Sequence, residues 1–151
     1  RNTRFTHIAG WVFHLGVFMT IILLTPHIEV FKSIIGFARP ALPTPIMDYA
    51  TVIAKITMLA MLFHRITNPV LKYLSTGQDF VVWALTFTPL LTGYMAYHHL
   101  FFSYTLLLGL HILSVCLLLV FFPFTKLTHA VTLFFARWYN GMMAGEKGVQ
   151  Q

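Results

Sequence analysis

The sequence predicts an all-α integral membrane protein: a bundle of four transmembrane helices with a C-terminal interfacial helix. Three observations predict it. Of the 151 residues, 58% are hydrophobic and 9% charged, with a mean hydropathy of +0.76, a balance that cannot clothe a soluble surface. Four apolar segments approach the length of a bilayer crossing, which takes about 20 residues. The fourth belongs to the stretch 107–129, LLGLHILSVCLLLVFFPFTKLTH, which carries His111 and His129. Their spacing of 18 residues is five helical turns, so both point the same way and lie roughly 27 Å apart if the helix is straight. A histidine in lipid is costly unless it faces the protein and has a partner. Two on one stripe therefore point to two metal cofactors at two depths.

The first segment, 8–25, carries no formal charge, and Thr25-Pro26 ends it. A loop over 27–45 follows, with Pro40, Pro43 and Pro45 blocking regular helix. The second segment, 46–63, contains Lys55, and a polar loop punctuated by Asn68-Pro69 and Gly77 leads to the third, 80–97. A tight, uncharged connection precedes the fourth, 104–124, where Pro123 is expected to bend the end. An interfacial helix is expected over 126–140, with Trp138 and Tyr139 at headgroup level, and GMMAGEKGVQQ reads as a tail. The whole chain, 1–151, reads as one domain without internal repeats.

Four crossings put both ends on one side. That side collects Arg1, Arg4, Arg65, Lys72, Lys126, Arg137 and Lys147, against Lys32 and Arg39 on the other. The positive-inside rule makes the termini cytoplasmic and the membrane the cytoplasmic (inner) one. His129 is then near the inner face and His111 in the outer half. The net charge of +6 contains no basic cluster suited to nucleic acid. The single cysteine, Cys116, cannot form an internal disulfide, and no CxxCH motif for covalent heme attachment is present. No signal-peptide cleavage pattern follows the basic start, and the first residue, Arg1 rather than Met, points to a missing or removed N-terminal piece.

Eight histidines are where the chemistry must be sought. His14, in WVFHLG, and His111 lie at similar depth on antiparallel helices, so two imidazoles can approach one metal from opposite sides. The alternative is an interhelical hydrogen bond. His7 shares a helix face with His14 and lies near the surface that holds His129. It is either a solvated interfacial residue or a ligand of a second metal. His7 to His14 is a rise of only roughly 10 Å, against roughly 27 Å on the other helix. Met19, on another face, is the remaining substitute ligand. His27, His98 and His99 read as hydrogen-bonding residues of the outer loops, and His64 as an interfacial residue beside Arg65. Lys55 either snorkels or pairs with Asp48, or donates to a quinone oxygen near the outer cofactor.

Three stretches resemble the gamma subunit of respiratory nitrate reductase and its relatives in sulfur-metabolism membrane complexes, a family of diheme cytochromes b that oxidise quinol. FHLG at 13–16 with TPH at 25–27 looks like the family's first heme-binding helix, and R-x-x-N-P-x7-G-x-D at 65–79 like its cytoplasmic loop. Leu110-His111 followed by FPFTKLTH at 122–129 looks like its last helix and is the most specific of the three. The resemblance covers 4–139. It implies a bundle that binds two b hemes between helices, with His111 and His129 each ligating one and His14 carried over through FHLG. The family's second histidine on the first heme-binding helix falls ten residues after the FHxG histidine; here that position is Leu24, which leaves the place open to His7. The family's extra N-terminal helix has no counterpart in the chain. The expected arrangement is His14 with His111 at the outer heme, His7 with His129 at the inner one, and Lys55 beside the quinol. The implied function is electron transfer between the quinone pool and a cytoplasmic iron–sulfur subunit with a larger catalytic subunit, within a respiratory oxidoreductase complex. Two readings of other classes stand beside it: a heme-free structural anchor, and a small proton-coupled transporter with a histidine/lysine path.

Overall fold

The computed structural model describes residues 2–36 and 40–148. Arg1 and Arg39, counted above among the cations, lie outside the described residues. Every regular element among those described is helical: α1 (Asn2–Leu23), α2 (Thr25–Ile35), α3 (Thr44–Thr67), α4 (Pro69–Leu74), α5 (Gly77–Tyr97), α6 (Tyr104–Phe121) and α7 (His129–Glu146), with 3-10 turns at Phe122–Phe124 and Lys126–Thr128 between the last two. Four helical stretches are long and apolar enough to cross a bilayer: Arg4–Leu23, Thr44–Thr67, Gly77–Tyr97 and Tyr104–Phe124. The chain is a multi-pass membrane protein. Its exposed surface is built of large apolar side chains such as Trp11, Ile34, Phe63, Leu119 and Phe134, as contact with hydrocarbon requires.

The elements depart from expectation where proline acts in two ways. Pro26 stops α1 but also stands in the first turn of α2, where a missing N–H is no loss. The region expected to be loop from residue 27 therefore begins with an eleven-residue helix. Gly36 ends it at a φ of 74°, donating its N–H to the Lys32 carbonyl at 2.9 Å. At Pro123 the expected bend is a break: α6 stops at Phe121, and two 3-10 turns pass before α7 begins. Asn68 caps α4 by accepting from the Val70 and Leu71 N–H groups at 3.0 and 3.3 Å. Thr76 and Asp79 form a capping box that opens α5.

The helices pack as two close pairs. α1 lies along α3 and α5 along α6, and a lighter α3–α5 contact joins the pairs. Small residues allow the first seam. A Cβ on Gly16 would meet the Ala50 carbonyl oxygen and the Ala54 Cβ, each at 2.9 Å. The Thr20 and Thr51 hydroxyls meet across the same buried seam at 3.2 Å. Trp83 ties α5 to α3 by donating its indole N–H to the Met58 carbonyl at 3.0 Å, and Thr92 and Ser114 hydroxyls meet between α5 and α6 at 3.3 Å. Among the described residues, α1 and α6 do not approach within 8 Å at the Cα level. The row of four is thus open between its first and last members.

The α1–α3 seam should be the least tolerant of added volume. Gly16→Leu is expected to destabilise the protein by about 1–3 kcal/mol through overpacking, read as a lower thermal midpoint in detergent. Gly109→Leu, whose Cβ meets nothing within 4 Å, is the control; equal losses in both would remove the seam as the explanation.

Candidate functional site

Two pairs of histidine rings meet across the open side of the bundle. His14 of α1 faces His129, the first residue of α7, with ring centres 6.0 Å apart and planes crossed at 87°. His27, in the first turn of α2, faces His111 of α6 at 6.1 Å, with planes at 24°. Two imidazoles that bind one metal from opposite sides, with metal–nitrogen bonds of ~2.0–2.1 Å, place their ring centres about 6 Å apart. Both pairs have that separation.

The hydrogen bonds fix which nitrogen is available. His14 donates Nδ1–H to the Gly10 carbonyl at 2.7 Å, and His27 donates to the Thr20 carbonyl at 2.8 Å. His111 donates to the Pro89 carbonyl at 3.1 Å, with the Thr92 hydroxyl at 3.4 Å. His129 donates to the Lys126 carbonyl at 2.7 Å. A carbonyl oxygen can only accept, so each Nδ1 carries the proton and the neutral ring keeps its lone pair on Nε2. This is the arrangement of metal-binding histidines, whose second nitrogen is held by a carbonyl or carboxylate that sets the tautomer and orients the ring.

Local structure explains each placement. His14 reaches back one turn within α1. The break before Thr25 starts α2 at a new angle and lets His27 reach a carbonyl in the last turn of α1. His111 packs on a glycine: a Cβ at Gly93 would meet its Cε1 at 2.8 Å and its Nδ1 at 3.0 Å, so only glycine lets α5 carry both the Pro89 acceptor and the ring. His129 is set by the 3-10 turn Lys126–Thr128.

The residues fit a planar macrocyclic metal cofactor. Among the described residues no three ligating side chains converge; each site offers two, the number an iron needs when a porphyrin fills its other four positions. The bundle is open between α1 and α6, and His14 and His129 are exposed.

The pairing differs from the expected one. His14 and His111 are not together, and His7, exposed on α1, belongs to neither ring pair. His27, expected to serve only as a loop residue, meets His111. A sequence signal for it existed. The rise from His14 to His27 is roughly 20 Å, far nearer the roughly 27 Å between His111 and His129 than the roughly 10 Å from His7 to His14. Lys55 and Asp48 interact through their charges but form no direct salt bridge. The Lys55 Nζ stands 3.0 Å above the centre of the Tyr94 ring, a cation–π contact, while Asp48 bonds His98 Nε2 at 3.0 Å. Tyr94 and His98 touch, with ring centres 4.4 Å apart. His99 packs against Tyr104 and His64 against Phe5.

No protein-family model and no solved structure matches the chain. It is similar to a curated protein of Nitratidesulfovibrio vulgaris (strain Hildenborough) described as "Protein", 34% identical over 142 residues. The match covers 94% of this chain and 62% of that relative's length.

Proposed function

We propose that the chain is the electron-carrying membrane subunit of a quinone-linked oxidoreductase, holding one b-type heme between His27 and His111 and another between His14 and His129. The observation that carries this reading is the double pairing itself: two sets of facing imidazoles 6.0 and 6.1 Å apart, every Nδ1 committed to a carbonyl. A bound heme iron would supply reversible one-electron transfer. The protein does the rest. His27 with His111 and His14 with His129 would each hold one heme, and two imidazoles per iron would suit electron transfer rather than oxygen chemistry. The Nδ1–H bonds raise the basicity of Nε2 and hold each ring in place. The 18 residues between His111 and His129 keep the two sites at different depths. The resemblance of FHLG and FPFTKLTH to diheme quinol-oxidising subunits supports the same reading.

The excess of cations on the side of the termini assigns that side, with His129, to the cytoplasm. A cytoplasmic iron–sulfur subunit and a larger catalytic subunit would then exchange electrons at the His14–His129 end. The lipid-soluble partner would be a quinol, and Lys55, whose Nζ lies over Tyr94, would donate to a quinone oxygen. A histidine-bearing anchor without heme accounts for the Nδ1 bonds but not for the rings facing in pairs.

Heme content of purified variants tests the ligands. His27→Ala and His111→Ala should each lose the same heme, leaving about half the wild-type content, and Gly93→Val should join them by displacing His111. His14→Ala and His129→Ala should lose the other. His7→Ala should keep both. A chain without a b-type spectrum, or an intact pair of hemes in His27→Ala, would overturn the assignment.

For orientation, Thr76→Cys and Ser33→Cys are introduced in a Cys116→Ser background and labelled in intact cells. Ser33→Cys should react and Thr76→Cys should be protected; the reverse pattern would put His129 on the outer side.

Lys55→Ala should retain both hemes while quinol-driven heme reduction slows about tenfold, equivalent to ~1.4 kcal/mol on the barrier. Unchanged reduction kinetics would return Lys55 to a packing role.

A further inference from the structure

We infer that Asp79, acting through Lys126, is the positioning residue that sets the ring plane of His129. The inference rests on the proposed heme ligation and deepens it.

The need for such a residue comes from the backbone. Between Phe121 and His129 there is no continuous α-helix, only two 3-10 turns, whose hydrogen-bond geometry is poorer than that of an α-helix. Helical phasing from α6 therefore cannot orient His129. The Lys126–Thr128 turn orients it through the Lys126 carbonyl, and α5 holds that turn in place. Asp79, whose side chain is 10% exposed, accepts from Lys126 Nζ through Oδ1 at 2.8 Å. Its Oδ2 accepts from the Thr76 N–H at 2.8 Å and the Thr76 hydroxyl at 3.0 Å, and faces Arg65 Nη1 at 3.5 Å. The carboxylate is thus immobilised before it meets Lys126. Gln78 adds a second tether by donating to the Phe124 carbonyl at 3.4 Å. The residue so fixed, Lys126, is the one whose carbonyl holds His129 Nδ1–H at 2.7 Å. The ion pair and the ring are two ends of one residue's reach: side chain to Asp79, backbone to His129.

The functional consequence lies in the 87° crossing of His14 and His129. Crossed axial imidazoles leave the two π-type d orbitals of a low-spin ferric ion nearly equal in energy, and the electron paramagnetic resonance signal is then strongly anisotropic. Imidazoles at 24°, as at His27–His111, split those orbitals and give a rhombic signal. The angle also contributes to the midpoint potential. Asp79 therefore tunes one heme and not the other.

The test uses the full-length protein as purified with its hemes, and compares Lys126→Met, Asp79→Asn and Arg65→Gln. Lys126→Met removes the tether and leaves the capping box intact, so it is the variant of choice if Asp79→Asn folds poorly. Wild-type protein should show one strongly anisotropic and one rhombic ferric signal. Lys126→Met and Asp79→Asn should each reduce the anisotropy of the first and shift its midpoint potential, without moving the second, and the double variant should go no further than either single one. Arg65→Gln, which removes the cation on the α3 side of Asp79, should leave both signals in place. An anisotropic signal unchanged in both tether variants, or both signals moving equally, overturns the inference while leaving heme ligation standing. A protein without heme signals overturns the ligation instead. In that case 15N-histidine NMR of the heme-free protein decides the positioning role. The Nδ1–H form of His129 should fall in Lys126→Met with that of His14 unchanged, and no change at His129 refutes it.

Discussion

Everything at the two ring pairs depends on a modest interaction, an imidazole Nδ1–H given to a backbone carbonyl. Each such bond is worth about 0.5–1.5 kcal/mol in net stability, yet each decides a tautomer and an orientation that lipid-embedded helices would otherwise leave free. The acceptors are backbone carbonyls, each with two lone pairs, and they are found where the helices permit a ring to come near: one turn back within α1, at the end of α1, at Pro89 in α5, and in the 3-10 turn before α7. The breaks at Pro26 and Pro123 are therefore part of the site. Without the first, His27 would not stand against the end of α1; without the second, His129 would follow the phase of α6.

Packing is divided between closed and open seams. The α1–α3 contact uses Gly16, Ala50 and Ala54 at near-touching distance and a buried Thr20–Thr51 pair, so the backbone polar groups and small side chains leave no room for a ligand. Among the described residues the α1–α6 side has no such contact, and the two histidine ring pairs meet there. Between the first half of α3 and the end of α5, a second polar group is assembled from Lys55, Tyr94, His98 and Asp48. It satisfies a cation and a carboxylate, either of which is expensive alone in hydrocarbon.

The helical membrane class was legible because composition and segment length leave few alternatives: 58% hydrophobic residues and four long apolar stretches describe nothing else. Three of the four paired histidines, His14, His111 and His129, stood out in the sequence, but depth matching joined His14 to His111, whereas the His14 ring meets His129. Their partners were not legible, and the reasons are physical. A straight-helix projection from His111 to His129 cannot foresee a chain that changes from α to 3-10 at Phe122. Reading Pro26 only as a terminator hid its second use as the opening of α2, and with it the placement of His27. Leu24 is the bend between α1 and α2, and the ring that meets His111 stands three residues further on, at the start of the next helix.

The ring pairs also impose an order on biogenesis. The seams α1–α3 and α5–α6 join neighbours in the membrane-crossing sequence. The ring pairs span 84 and 115 residues, from His27 to His111 and from His14 to His129, the kind of long-range closure that comes late. Because synthesis runs from the N-terminus, a nascent chain can close the His27–His111 pair while the segment that carries His129 is still being made. The two halves of the site are therefore completed at different moments in the life of the polypeptide.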